Sequence, residues 1–198
     1  AANLVHDTPY PGILVYGTGG GAINVIERNT VYGSGDNVMQ VQGEALVQNN
    51  LLINGSAAFA SHDHQGQVRD LTVIHNTMIN TGRAADLSDW SGSPNVTFAN
   101  NACYSKTGDA VRFNGGSAGV EFAGNVAFGP VVGVIGGFVV GTGLVDFVNV
   151  TWTATALDAR PKALGALIAT GDFLWAVTDD ITAATRVDPL EAGCYDGP

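Results

Sequence analysis

Apolar and polar residues alternate along this chain in short runs, as in Asn29-Thr-Val-Tyr32, Val38-Met-Gln-Val41, Ala57-Ala-Phe-Ala-Ser61, Asp70-Leu-Thr-Val-Ile74 and Asn95-Val-Thr-Phe98. A period of two places successive side chains on opposite faces of a strand, so each run predicts a short β-strand with one buried face. Between the runs lie turns rich in Gly, Ser, Thr and Asn, such as Gly33-Ser-Gly35, Thr81-Gly82 and Thr107-Gly108. No segment carries the 3.6-residue apolar period of an amphipathic helix.

The runs recur. Seven asparagines, Asn3, Asn29, Asn50, Asn76, Asn101, Asn125 and Asn149, stand 26, 21, 26, 25, 24 and 24 residues apart. Each opens a similar phrase: Asn3-Leu-Val-His6, Asn29-Thr-Val-Tyr32, Asn50-Leu-Leu-Ile53, Asn76-Thr-Met-Ile79, Asn101-Ala-Cys-Tyr104, Asn125-Val-Ala-Phe128 and Asn149-Val-Thr-Trp152. Three residues before most of them stands an apolar side chain: Ile26, Val47, Val73, Phe98 and Phe122. A repeat of this length built from short strands is a solenoid, because one unit buries its apolar side only by stacking on the next. The predicted fold class is all-β: a right-handed, single-stranded parallel β-helix whose asparagines form a ladder.

Each repeat reads as three strands. The first follows the asparagine and the third leads back to the next one. The second strands are Gly12–Tyr16, Val38–Val41, Ala57–Ser61, Ala85–Ser88, Ala110–Phe113 and Val134–Ile135. Stacked in register about 4.8 Å apart, they bring each asparagine under its successor, where the amides bond along the stack. Residues 1–155 are read as coils and 156–198 as a segment of the same domain that closes its C-terminal end. Asn3 already occupies a ladder position, so the first coil is expected to need a cap from an N-terminal segment or a partner chain.

Composition narrows the partners. Eighteen acidic against eight basic residues give a formal charge of −10, which repels nucleic acid and anionic membrane surfaces. The most apolar run, Val131 to Val140, is too short and Gly-rich to insert in a membrane. Acidic polysaccharides would be repelled too unless a cation bridges them. Cys103 aligns with Val31, Leu52, Met78 and Ala127, so it reads as an inward-facing core residue.

The asparagine phrase, the opening Asn3-Leu-Val-His-Asp-Thr-Pro-Tyr-Pro-Gly-Ile13 and the tail Ala156-Leu-Asp-Ala-Arg-Pro-Lys-Ala163 with Val187-Asp-Pro-Leu-Glu-Ala-Gly-Cys-Tyr-Asp196 resemble bacterial right-handed parallel β-helix proteins of the pectate-lyase-like superfamily. The resemblance covers nearly the whole chain and implies a secreted, cell-surface or periplasmic protein that handles polysaccharide, in enzymes of this kind along the outer face of one sheet. That superfamily includes lyases, hydrolases, epimerases and proteins without catalysis, since function lies in the site rather than the fold. The paired aspartates and Gly-His-Gly of polygalacturonase-like hydrolases are absent, as is the Asp-Pro-His of alginate epimerases.

Strand parity then selects candidates. With Phe59 and Ser61 inward, His62 and His64 face outward; with Ala85 and Leu87 inward, Asp86 and Ser88 face outward, and Arg112 follows on the next coil. His62, His64, Asp86 and Arg112 form a candidate catalytic set, with imidazoles as acid/base groups and Arg112 as counter-charge to a substrate carboxylate. Tyr16 and Trp90 are candidates for stacking on sugar rings. Asp86 and Asp89 offer carboxylates for Ca2+, and the histidine pair with Asp86 offers a transition-metal site. His6 and His75 read as structural. The leading reading is a secreted β-helix acting on an extracellular polysaccharide by lyase-type elimination at this set; the alternatives are a non-catalytic structural or carbohydrate-binding β-helix segment of a larger protein, and a metal-binding β-helix.

Overall fold

The alternating runs become three strands per turn of a solenoid. The computed structural model describes residues 1–197. The first coil holds β1 (Leu4–His6), β2 (Ile13–Val15) and β3 (Asn24–Glu27). The second holds β4 (Thr30–Tyr32), β5 (Met39–Val41) and β6 (Ala45–Gln48), and the third β7 (Leu51–Ile53), β8 (Ala57–Ser61) and β9 (Leu71–Ile74). The fourth holds β10 (Thr77–Asn80), β11 (Arg83–Ser88) and β12 (Val96–Ala99), and the fifth β13 (Ala102–Ser105), β14 (Val111–Asn114) and β15 (Glu121–Ala123). A shorter coil follows with β16 (Asn125–Phe128), β17 (Val131–Val132) and β18 (Phe138–Val140). The only helical segments among the described residues are two single 3-10 turns, Leu144–Asp146 and Phe173–Trp175.

Strands in corresponding positions of successive coils pair with one another, and β18 returns to pair with β16, giving three parallel sheets of seven, six and five strands. We call them A, B and C. The register in sheet B sets Ile13, Met39, Phe59, Ala85 and Val111 in one inward row, and Leu14, Gln40, Ala60, Asp86, Arg112 and Val132 in one outward row. Inward rows of the three sheets make the core, with Val31, Leu52, Met78 and Cys103 from sheet A and Ile26, Val47, Val73 and Phe98 from sheet C. Cys103 and Cys194 are both free and buried.

The ladder links six asparagines. The backbone N–H and the side-chain amide of each donate to the Oδ1 of the next, from Asn3 to Asn29 (3.1 and 2.9 Å) through to Asn101 and Asn125 (2.9 and 3.2 Å). Each is preceded by a residue of positive φ: Ala2, Arg28, Asn49, His75, Asn100 and Gly124 lie between 52° and 60°. That left-handed residue makes the sharp corner from sheet C to sheet A, and the asparagine satisfies the carbonyls the corner exposes. Asn149 does not join the ladder. Beyond Asn125 the stack is taken by Gly137, whose carbonyl accepts from both the backbone N–H and Nδ2 of Asn125 (3.4 and 3.2 Å). Asn149 instead lies exposed in β19 (Phe147–Val150), antiparallel to β20 (Leu157–Pro161).

Two further expectations change. The sixth second strand is Val131–Val132, not Val134–Ile135, because the Gly-rich segment after it skips sheet C and returns to sheet A. The tail does not close the C-terminal end. It runs back along the flank, where Phe147, Val150, Ala159, Leu167, Ala192 and Cys194 pack on the outward residues Leu51, Ile53, Ile79, Tyr104 and Val126 of sheet A. Polar ties secure its path: Asn100 Oδ1 accepts from the Asp172 N–H (2.7 Å), Thr77 Oγ1 from the Cys194 N–H (3.0 Å), and Asp179 pairs with Arg28 (2.7 Å). Sheet A is thereby covered and sheet B keeps an open outer face. At the first coil, β1, β2 and β3 are edge strands of their sheets, and Leu4 is exposed.

Candidate functional site

The outward row of sheet B carries the polar side chains that parity assigned to it, but their bonds are local. Asp86 accepts from Arg83 (2.6 Å) and from Asn114 (3.1 Å), while Arg112 turns to Asp109 of its own coil (3.6 Å) although Asp86 is its register partner. His62 is committed at both ring nitrogens. Nδ1 lies 2.8 Å from the Asp63 carbonyl, which only accepts, so Nδ1 bears the proton. Nε2 then accepts from the Gln40 amide at 3.2 Å, with Gln40 itself oriented by Asn37 (3.0 Å).

Trp90 departs from its expected role. It is fully buried, its Nε1–H donates to Ser61 Oγ at 3.0 Å, and its ring packs edge-on against Phe98 and Phe113. Ser61 occupies an inward position aligned with Leu87, and the indole reaches over to satisfy its hydroxyl. An indole so placed stacks on no sugar. The carboxylates proposed for a cation are engaged too: Asp89 accepts from the Asp63 N–H (3.1 Å) and Asp86 from Arg83 and Asn114. No group of three or more His, Cys, Asp or Glu side chains with metal-binding geometry is present among the described residues, so the histidine pair and Asp86 do not converge on one ion.

The histidines instead build an aromatic rim. His64 stacks on Tyr16 with centroids 4.9 Å apart and planes 5° from parallel, and His62 meets His64 edge-on at 5.6 Å. Tyr16 follows β2 on the first coil and His64 follows β8 on the third, so the stack bridges the intervening Gln42. Gln42 Oε1 accepts from the N–H groups of His64 (3.3 Å) and Gln65 (2.7 Å), which shapes the turn after β8. His64 makes no side-chain hydrogen bond among the described residues.

Beside this rim opens a cleft of about 430 Å³, between sheets B and C on the first three coils, lined by Tyr16, Gln42, Glu44, Gln65, Gln67 and Arg69 among others. Its wall is set by Glu44, which is buried and has φ 50° at the corner from β5 to β6. The Glu44 carboxylate accepts from the Thr18 N–H, Thr18 Oγ1 (2.9 Å), the Gly20 N–H (2.7 Å) and Arg69 Nη2 (2.6 Å). These donors, led by the Thr18 amide, hold its carboxyl down to about 2. The Gly-rich loop after Tyr16 is thus folded onto one carboxylate, and Glu44 is spent on structure.

Sequence reading missed Gln42, Glu44, Gln65, Gln67 and Arg69. They come from different coils and meet only through the stacking register; the one local signal was the alternation Gln40-Val-Gln42, which sets both amides on one face. The two histidines read as structural are so placed. His6 stacks on Tyr32 (5.1 Å, 7°), and His75 is fully buried, bonded to Asn100 (2.9 Å) and held down to about 3 by burial and the Arg186 charge.

Searches of curated proteins and of solved structures return no match. A family model described as the right handed beta helix region matches residues 2–151, which span every coil of the solenoid. With its three parallel sheets and internal asparagine ladder, the chain belongs to the right-handed β-helix family.

Proposed function

We propose that this β-helix binds an extracellular polysaccharide on the open outer face of sheet B, anchored at the Tyr16–His64 stack and the cleft beside it. The observation that carries the reading is that coplanar pair at the rim of a cleft whose Gln65 and Gln67 amides and Tyr16 hydroxyl have no protein hydrogen-bond partner among the described residues. A sugar ring offers an apolar C–H face and a rim of hydroxyls. Aromatic faces take the first, and amides, each donor and acceptor at once, take the second. Beyond the cleft the outward side chains of Gln40, His62, Ser88 and Asn114, from two neighbouring rows of the face, continue the polar track across coils two to five, the length over which a chain of several sugars would lie.

Lyase-type elimination, implied by the superfamily resemblance, needs a free base beside an unpaired cation that neutralises a uronate carboxylate. His64 meets the first requirement. The arginines do not meet the second, since Arg69, Arg83 and Arg112 each face a carboxylate. Binding is therefore the reading that accounts for more of the site.

Calorimetric titration against a panel of extracellular oligosaccharides tests it. At least one glycan is expected to bind, and Tyr16→Ala should weaken that binding about tenfold, the upper range for loss of one stacking platform. Failure of every glycan to bind, or equal affinity in Tyr16→Ala, would refute the reading. Release of unsaturated sugar products on prolonged incubation would replace it with the lyase.

A further inference from the structure

The cleft at Tyr16 carries a sharper message about which sugar it takes, resting on the reading that the site binds glycans. Its only cation is Arg69, and Arg69 bonds to Glu44 at 2.6 Å, so the two formal charges cancel. What remains to meet a ligand is uncharged: the Tyr16 ring and hydroxyl, the Nε2 end of the Gln42 amide, and the amides of Gln65 and Gln67. Gln42 Oε1 is already filled by two backbone N–H groups, so its free end is a donor. A donor-only amide beside two free amides suits hydroxyl groups, whose oxygens accept and whose hydrogens donate.

The surroundings work against an anionic sugar. Asp63 and Asp89 stand at the histidine end of the face, joined by the bond from the Asp63 N–H to Asp89 (3.1 Å). Further along, Arg83 is paired with Asp86 (2.6 Å) and Arg112 with Asp109 (3.6 Å), so both guanidinium groups of the track are balanced before a ligand arrives. The whole chain carries a formal charge of −10. A polyuronate would lose its carboxylate hydration here without gaining a cationic partner, and would approach against the field of the protein.

We infer that the cleft is a subsite for a neutral, hydroxyl-rich sugar residue such as a hexose or pentose, and that it discriminates against uronates by the absence of an uncommitted cation. Selectivity then comes from charge rather than shape. Adding one cation to the cleft should therefore erode it. Gln67 is exposed on the rim and bonds to nothing among the described residues, so Gln67→Lys introduces the missing charge without disturbing Glu44.

The experiment is a matched titration of neutral oligosaccharides (cello-, manno- and xylo-oligomers) and uronate oligomers of equal length (oligogalacturonate and oligomannuronate), with wild type and Gln67→Lys, at low and moderate salt. At least one neutral series is expected to bind about tenfold or more tightly than either uronate series. Gln67→Lys should narrow that gap by raising uronate affinity in a salt-sensitive way. Uronates binding as tightly as the neutral sugars in wild type would overturn the charge argument while leaving glycan binding intact. Neither class binding would overturn both.

Discussion

Removing one rung of the ladder measures how much of the solenoid it holds. Asn76 sits at the centre of the stack and is fully buried. Its Nδ2 donates to the carbonyls of Val47 (2.9 Å) and Ile74 (2.9 Å) and to Asn101 Oδ1 (3.1 Å), and its Oδ1 accepts from the N–H (3.1 Å) and Nδ2 (2.9 Å) of Asn50. In Asn76→Ala the Asn50 N–H loses its only acceptor, a cost of about 1–3 kcal/mol for a buried orphaned donor. The two carbonyls each lose a bond worth about 0.5–1.5 kcal/mol. Asn50 Nδ2 keeps Ile26 and Gln48, and Asn101 Oδ1 keeps the Asn76 backbone N–H, so these contribute little. The sum is about 2–6 kcal/mol, a large part of the roughly 5–15 kcal/mol that holds an ordinary domain. Asn3→Ala and Asn149→Ala are the controls: both side chains are exposed, water replaces what they bond, and each should cost less than about 0.5 kcal/mol. Urea unfolding followed by tryptophan fluorescence reads the difference as a shift in midpoint at constant slope. Asn76→Ala within about 0.5 kcal/mol of wild type, or Asn149→Ala as damaging as Asn76→Ala, would refute the ladder as described.

The remaining expectations concern the core, the tail and pH. Trp90→Ala should cost about 3–5 kcal/mol, because it empties the contact with Phe98 and Phe113 and strips Ser61 of its donor, yet leave glycan affinity of the folded protein unchanged; a selective loss of binding at unchanged stability would return Trp90 to the site. Burial and the neighbouring Asp196 carboxyl raise Glu191 from 4.5 to about 7, so its folded form holds a proton that the unfolded form releases; that stabilisation is complete below about 4.5 and is lost as pH rises through 7. Melting temperature against pH should therefore fall over that window in wild type and fall less in Glu191→Gln. Glu44 behaves in the opposite sense: its carboxyl, held at about 2, stabilises above about 4.5 and loses that effect as pH drops towards 2, a dependence that Glu44→Gln should remove. Cys194 lies on the inner side of the tail with its thiol pushed up to about 12 by burial, and Cys103 lies in the solenoid core. Alkylation of the native protein should label Cys194 before Cys103, because the flank opens at lower cost than the coils; simultaneous labelling would show that tail and solenoid unfold together.

Much of this architecture was written in local periodicity. Alternation within Ala57–Ser61 and Ala85–Ser88 gave the inward rows correctly because a strand has only two faces, and each ladder asparagine was legible because its corner requires a left-handed residue and a donor at a fixed place. Asn149 shows the limit of spacing alone. Its phrase matches, but Val148 has no positive φ, and the next position of the stack had already been filled by the Gly137 carbonyl. Trp90 was misplaced because an aromatic just past a strand end looks exposed until the inward hydroxyl of Ser61, 29 residues earlier, is seen to need its indole. The cleft and the tail's course were not legible: the first gathers side chains from three coils, and the second depends on contacts such as Arg28 with Asp179, 151 residues apart.

The most direct test of the site is to locate a bound sugar. A crystal structure with the tightest-binding neutral oligosaccharide, or a map of amide shift changes on titrating it, should place one ring over the Tyr16–His64 pair with hydroxyls on Gln42, Gln65 and Gln67, and further residues along Gln40, His62 and Ser88 of sheet B. A sugar seated elsewhere on the solenoid, or shift changes that leave these residues untouched, would contradict the assignment of this face as the functional one.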